Sequence, residues 1–128
     1  MRFANTYQYC GFEDDKFRLL LRKGVYPYEY MSSWEKFEET CLPSIGSFYS
    51  NLNLEHISNN DYEHAEKVWE VFGIRDLGDY HDLYVMSDTL ILADVFERFR
   101  DKCHEIYGLD PAHFYTAPGL AWVAALTL

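Results

Sequence analysis

The chain has 128 residues, 48% of them hydrophobic and 18% aromatic, which excludes intrinsic disorder as its main state and fits one domain. Its 11 Lys+Arg against 21 Asp+Glu give a net charge of −10, which argues against a self-sufficient nucleic-acid module, since such a module usually needs a basic face. Carboxylates can still bind nucleic acid through cations, and a metal-dependent nuclease site is compatible with that charge.

No apolar run approaches the roughly 20 residues that cross a bilayer, so no membrane partner is expected. Arg2, Asn5 and Gln8 interrupt any signal-like segment behind Met1. Cys10, Cys41 and Cys103 are odd in number and widely spaced, which fits a reducing intracellular compartment better than a disulfide framework. There is no CxxC pair and no HxxxH or HExxH among His56, His64, His81, His104 and His113, so no zinc site is expected.

In chain order, residues 1–13 read as irregular or strand-like, with Phe3, Tyr7, Tyr9 and Phe12 roughly alternating. Asp14 or Asp15 can cap a short helix over Lys16–Arg22, with Gly24 as its stop. Val25–Tyr30 is an aromatic loop, because Pro27 lacks an amide donor and keeps its predecessor extended. The aromatics from Tyr26 to Trp34 suit either a local core or a stacking surface for single-stranded bases. Ser32 and Glu35 have capping-box spacing and predict a short helix to about Thr40. After a turn-like stretch over Ser44–Asn53, Ser58 caps a helix over about Asn59–Phe72, stopped by Gly73. Tyr62, Ala65, Trp69 and Phe72 form its apolar stripe.

The longest predicted element is a helix from about Gly78 to Tyr107, ending at Gly108. Leu92, Val95, Phe99, Cys103 and Ile106 form a stripe along it, and Asp94, Glu97 and Asp101 read as its outer face. Asp110-Pro111 makes a turn, and Pro118-Gly119 opens a last apolar stretch over Leu120–Leu128. The chain therefore reads as mainly α. Its first and last segments are apolar and unfinished, which suggests a piece of a larger protein.

One constellation points to chemistry. Tyr84 and Asp88 are i and i+4 on the long helix and share a face. Aspartate is a poor helix-interior residue, and this one precedes Thr89-Leu90-Ile91-Leu92. Either a cation sits beside it, a divalent metal or an arginine, or it faces solvent. With a metal, the phenol one turn away can orient a metal-bound water.

Five segments then match one family in a single order. They are Lys23-Gly24-Val25-Tyr26-Pro27-Tyr28-Glu29-Tyr30-Met31, Trp34-Glu35-Lys36-Phe37, Leu77-Gly78-Asp79-Tyr80-His81-Asp82-Leu83-Tyr84, Asp88 with Leu92-Ala93-Asp94-Val95-Phe96, and Gly108-Leu109-Asp110-Pro111-Ala112-His113-Phe114-Tyr115-Thr116-Ala117-Pro118-Gly119-Leu120-Ala121-Trp122. From about residue 17 to 125 the chain resembles the organellar and viral type of family B DNA polymerase, nearest to the protein-primed enzymes of Maverick/Polinton-type mobile elements. The resemblance implies that residues 1–107 are the C-terminal part of a 3′–5′ proofreading exonuclease domain with a ribonuclease-H-like α/β fold. Residues 108–128 would open the linker to the palm domain. Tyr84 and Asp88 match the Tyr-x-x-x-Asp motif of that exonuclease. By that likeness they are the catalytic pair, Asp88 a ligand of Mg²⁺ and Tyr84 the residue that positions water. The complete parent would bind DNA and dNTPs, with a terminal protein as a candidate primer. Nuclear elements, viruses and mitochondrial plasmids all carry such polymerases, so the compartment stays open, with the nucleus as the leading expectation. The Asp-x-Glu motif, the second exonuclease aspartate and the DxxSLYP and DTD polymerase motifs are absent here, and Val123 stands where relatives more often carry Asp. The chain alone is therefore expected to be inactive. The alternative is a non-enzymatic acidic helical interaction module derived from a mobile element, with the Tyr62–Phe72 stripe and the Leu120–Leu128 segment as its contact surfaces.

Overall fold

The computed structural model describes residues 2–127, leaving Met1 and Leu128, the last residue of the apolar stretch, outside the described residues. Among the described residues five α-helices carry the fold: α1 (Ala4–Tyr9), α2 (Asp14–Leu21), α3 (Asn59–Val71), α4 (Leu77–Tyr107) and α5 (Ala117–Thr127). Short 3-10 turns lie at Trp34–Glu38, Ile45–Phe48 and Pro111–His113. Among the described residues the only β pairing is an isolated bridge between Ser50 and Glu55. The protein is mainly α.

Local chemistry sets the two main helices. Ser58 caps α3 by accepting a hydrogen bond from the Asp61 amide at 3.1 Å, and Gly73 follows it with a φ of +60°. Asp76 caps α4 by accepting from the Asp79 amide at 2.8 Å. Gly108 ends α4 in the left-handed region, where a side chain would be strained. At 31 residues, α4 is a rod of roughly 46 Å.

The first part of α4 forms one wall of the main core. Leu77, Tyr80 and Leu83 are buried on one face, together with Cys10, Leu20 of α2 and Val68 of α3. Phe17, Trp69, Phe72 and the loop residues Tyr26, Tyr30 and Met31 close around them. Each buried aliphatic side chain of this kind contributes about 1.5–3 kcal/mol. The loop before α3 is latched to the start of α4 by the Leu77 amide, which donates to the Glu39 carbonyl at 2.9 Å. Gly78 permits that approach, since a Cβ there would stand 3.1 Å from Asp76 Oδ1 and 3.4 Å from the Phe37 carbonyl.

Several local expectations are corrected. Residues 4–9 form α1 rather than an irregular or strand-like segment. The Ser32/Glu35 spacing yields a 3-10 turn with no side-chain cap bond, not an α-helix. Gly24 is not a left-handed helix stop, because α2 ends at Leu21 and Arg22 is already extended. Asp94 is 5% exposed and does not belong to an outer face. Most of the predicted α4 stripe is left open by the described residues. Leu92 is 69% exposed, Val95 50%, Phe99 45% and Ile106 60%, and only Cys103 is buried.

The end of α4 is tied to the turn beyond it. Arg100 forks onto Asp110 with its Nε 3.0 Å from one carboxylate oxygen and its terminal nitrogen 2.7 Å from the other. Asp110 also accepts from the Ala112 amide at 3.0 Å, fixing the 3-10 turn that leads to α5. No helix among the described residues is long and apolar enough to cross a membrane.

Candidate functional site

Tyr84 and Asp88 stand one turn apart on α4 and line the same groove. The other walls come from the end of α2 and the extended exit after it (Arg22, Lys23, Gly24), from α3 (His64, Val68), and from Ser87 beside Asp88. Asp88 is exposed on the groove's edge, and Tyr84 is half-buried within it.

A tyrosine cluster fixes Tyr84. Its ring stacks on Tyr26 at a centroid distance of 4.9 Å and meets Tyr28 edge-on at 6.2 Å. Its hydroxyl shares a hydrogen bond with the Tyr28 hydroxyl at 2.7 Å. Gly24 lets the loop come this close, since a Cβ at Gly24 would sit 3.3 Å from the Tyr84 ring. Tyr26 is held in turn by a 2.7 Å hydrogen bond between its hydroxyl and His81 Nδ1, and the Tyr80 hydroxyl donates to the Val25 carbonyl at 2.6 Å. Tyr26 and Tyr30 therefore pack against the core, while Tyr28 stays exposed, and the Tyr26 and Tyr28 side chains brace Tyr84.

Electrostatics keep that phenol neutral. Burial pushes its pKa well above the ordinary tyrosine value, with the Tyr28 hydrogen bond and the Asp88 charge adding to the shift. A neutral phenol with one hydrogen-bond partner retains capacity for a second, such as a water in the groove. Two cations, Arg22 and Lys23, also line the groove. Arg22 is paired with Asp61, while Lys23 makes no ion pair among the described residues.

His64 is a second chemical group at this wall. It is 9% exposed, and its Nε2 is buried without a hydrogen-bond partner among the described residues. Burial, followed by the nearby Arg22 charge, holds the imidazole pKa below its ordinary value. Sequence spacing alone marks His64 no more than the other histidines, because its burial depends on α2 packing over α3.

As a metal site, the groove supplies one carboxylate. No group of three or more His, Cys, Asp or Glu side chains among the described residues is placed to hold an ion together. Asp88 has no hydrogen bond or ion pair within the described residues, and a free carboxylate is chemically suited to be one oxygen ligand of a hard cation. No family model, curated protein or solved structure matches this chain.

Proposed function

We propose that the chain is part of the 3′–5′ exonuclease domain of a family B DNA polymerase of the protein-primed organellar and viral type, with 1–107 from that domain and 108–128 opening the connection to the palm. The observation that carries this reading is that Tyr84 and Asp88 line one groove, with the phenol braced and neutral beside an unpaired carboxylate. The ordered run of five motif-like segments from Lys23 to Trp122 supports it.

Asp88 would be one ligand of Mg²⁺, which when bound lowers the pKa of water and stabilises charge on a phosphate. Tyr84 holds a water by its free hydrogen-bonding capacity, and Tyr28 and Tyr26 limit where its hydroxyl points. Lys23 lies at the groove's edge, where a phosphate of a single strand would need a positive charge. One carboxylate cannot hold two metal ions, so the chain by itself is inactive, and DNA synthesis with dNTPs belongs to the complete parent.

The coding sequence on either side tests the assignment. A strand-like Asp-x-Glu upstream and a DTD motif downstream support it. Flanks that encode unrelated sequence contradict it. The exposed face of α4 favours a second reading, a non-enzymatic helical interaction module. The α3 stripe does not serve as that module's surface, since Ala65 is buried and Trp69 and Phe72 pack on the core.

A further inference from the structure

We propose that the open face of α4 is a self-association surface on which a second copy of this chain lays its own α4 antiparallel. Leu92, Val95, Phe99 and Ile106 recur at intervals of three, four and seven residues, the repeat of a helix–helix seam. All four are substantially exposed. Apart from Cys103, which is buried at one edge of the stripe, the chain's own cover lies elsewhere on the helix: Asp94 is buried beneath α1, and Leu77, Tyr80 and Leu83 face the core. A seam of this length left in water is the kind of apolar surface that soluble proteins reserve for a partner.

The charges flanking the seam select the occupant and its direction. Asp88 lies seven residues before Val95 and Lys102 seven residues after it, so all three fall nearly on one line along the helix. A parallel copy in register would set Asp88 against Asp88 and Lys102 against Lys102. An antiparallel copy centred on Val95 sets Asp88 against the partner's Lys102 at both ends, and brings Leu92 to the level of the partner's Phe99. The surface is therefore complementary to itself in one orientation. Within the chain Asp88 makes no ion pair among the described residues. Lys102 bonds to Glu105 at 2.8 Å, but both are well exposed, and such a pair is worth at most about 1 kcal/mol.

This inference goes beyond the exonuclease reading and does not depend on it. Lys102 of a second copy would occupy the place beside Asp88 that a metal ion would take, so the two uses of the carboxylate exclude each other.

The test is the mass of the 128-residue chain in solution, by sedimentation equilibrium or light scattering over a wide concentration range. The wild-type chain is expected to be a dimer. Leu92→Glu and Phe99→Glu, both at exposed positions, should be monomeric with unchanged far-ultraviolet helicity. Asp88→Lys and Lys102→Glu should each weaken the dimer roughly tenfold, because each turns two attractions into repulsions. The double variant carrying both changes should recover wild-type affinity, because both pairs are restored with their signs exchanged. A chain that stays monomeric at every concentration, whether or not it binds some other protein, overturns the proposal. So does a dimer indifferent to Leu92→Glu. A double variant no tighter than its parents overturns the antiparallel register. Should Leu92→Glu or Phe99→Glu lose helicity, the two charge variants and their combination decide the matter.

Discussion

Asp94 caps a helix whose Asn5 lies 89 residues before it. Its carboxylate accepts four hydrogen bonds, from the Asn5 amide at 3.1 Å, the Asn5 side-chain nitrogen at 2.8 Å, the Thr6 amide at 3.0 Å and the Thr6 hydroxyl at 2.7 Å. The two amides are among the first donors of α1, which have no partner inside the helix. A carboxylate from α4 thus does the work that a local serine or aspartate does elsewhere, and it also complements the helix dipole. Thr6 is completely buried in the process.

Asp94→Asn should therefore destabilise the chain by about 2–4 kcal/mol in urea unfolding, because an amide nitrogen would face donors where an acceptor is required. Burial alone would raise the Asp94 pKa, but the bonds from Thr6 and Asn5 outweigh it and hold it below the ordinary carboxylate value. A depressed folded-state pKa means that its stabilisation is present above the unfolded value of about 3.9 and is lost as pH falls through the folded one. The Asn variant should lack this part of the acid sensitivity.

His64 acts in a different pH window and by a different route. Its folded pKa is depressed by burial, so the unfolded chain takes up a proton near pH 6.5 while the folded chain does not. Stability should fall as pH drops from about 6.5 toward the folded value, with a slope of at most about 1.4 kcal/mol per pH unit for one proton. In His64→Leu that slope should be absent between those limits, as read from urea midpoints across the range. A wild-type chain with flat stability over that window would contradict the placement of His64.

Tyr28→Phe isolates one brace of the site. The Tyr28 hydroxyl raises the Tyr84 pKa through their shared hydrogen bond, second only to burial. Without it, the Tyr84 phenol should ionise at lower pH while remaining above the ordinary tyrosine value. Carbon-13 labelling of tyrosine rings and titration by NMR would resolve it. An unmoved Tyr84 resonance would mean that the two hydroxyls do not bond in solution.

Part of this architecture is legible in the residues and part is not, for physical reasons. Helices α3 and α4 carry their own local signals, Ser58 and Gly73 at the ends of one and Gly108 at the end of the other, so sequence places both. Helix α1 escapes a sequence reading because its cap, Asp94, arrives from α4, and nothing within residues 1–13 announces it. The same side chain reads as a solvated neighbour of Glu97 and Asp101, since the covering element lies far away in sequence. Tyr84 and Asp88 are readable as an i,i+4 pair. Their supports, Tyr26 and Tyr28, depend on a loop whose path follows from packing, and the alternating tyrosines of Val25–Tyr30 are the only hint. The apolar stripe of α4 is visible, but its exposure is not, because a period shows a face without showing what covers it.

The role proposed for Asp88 is tested most directly by excision kinetics. In an exonuclease domain completed with the strands that bear its other carboxylates, Asp88→Ala should abolish Mg²⁺-dependent removal of the 3′-terminal nucleotide while dNTP addition by the joined palm continues. Tyr84→Phe, which removes a hydrogen bond and no metal ligand, should slow excision by about tenfold to a hundredfold. Excision at the wild-type rate in Asp88→Ala would show that this carboxylate holds no catalytic ion.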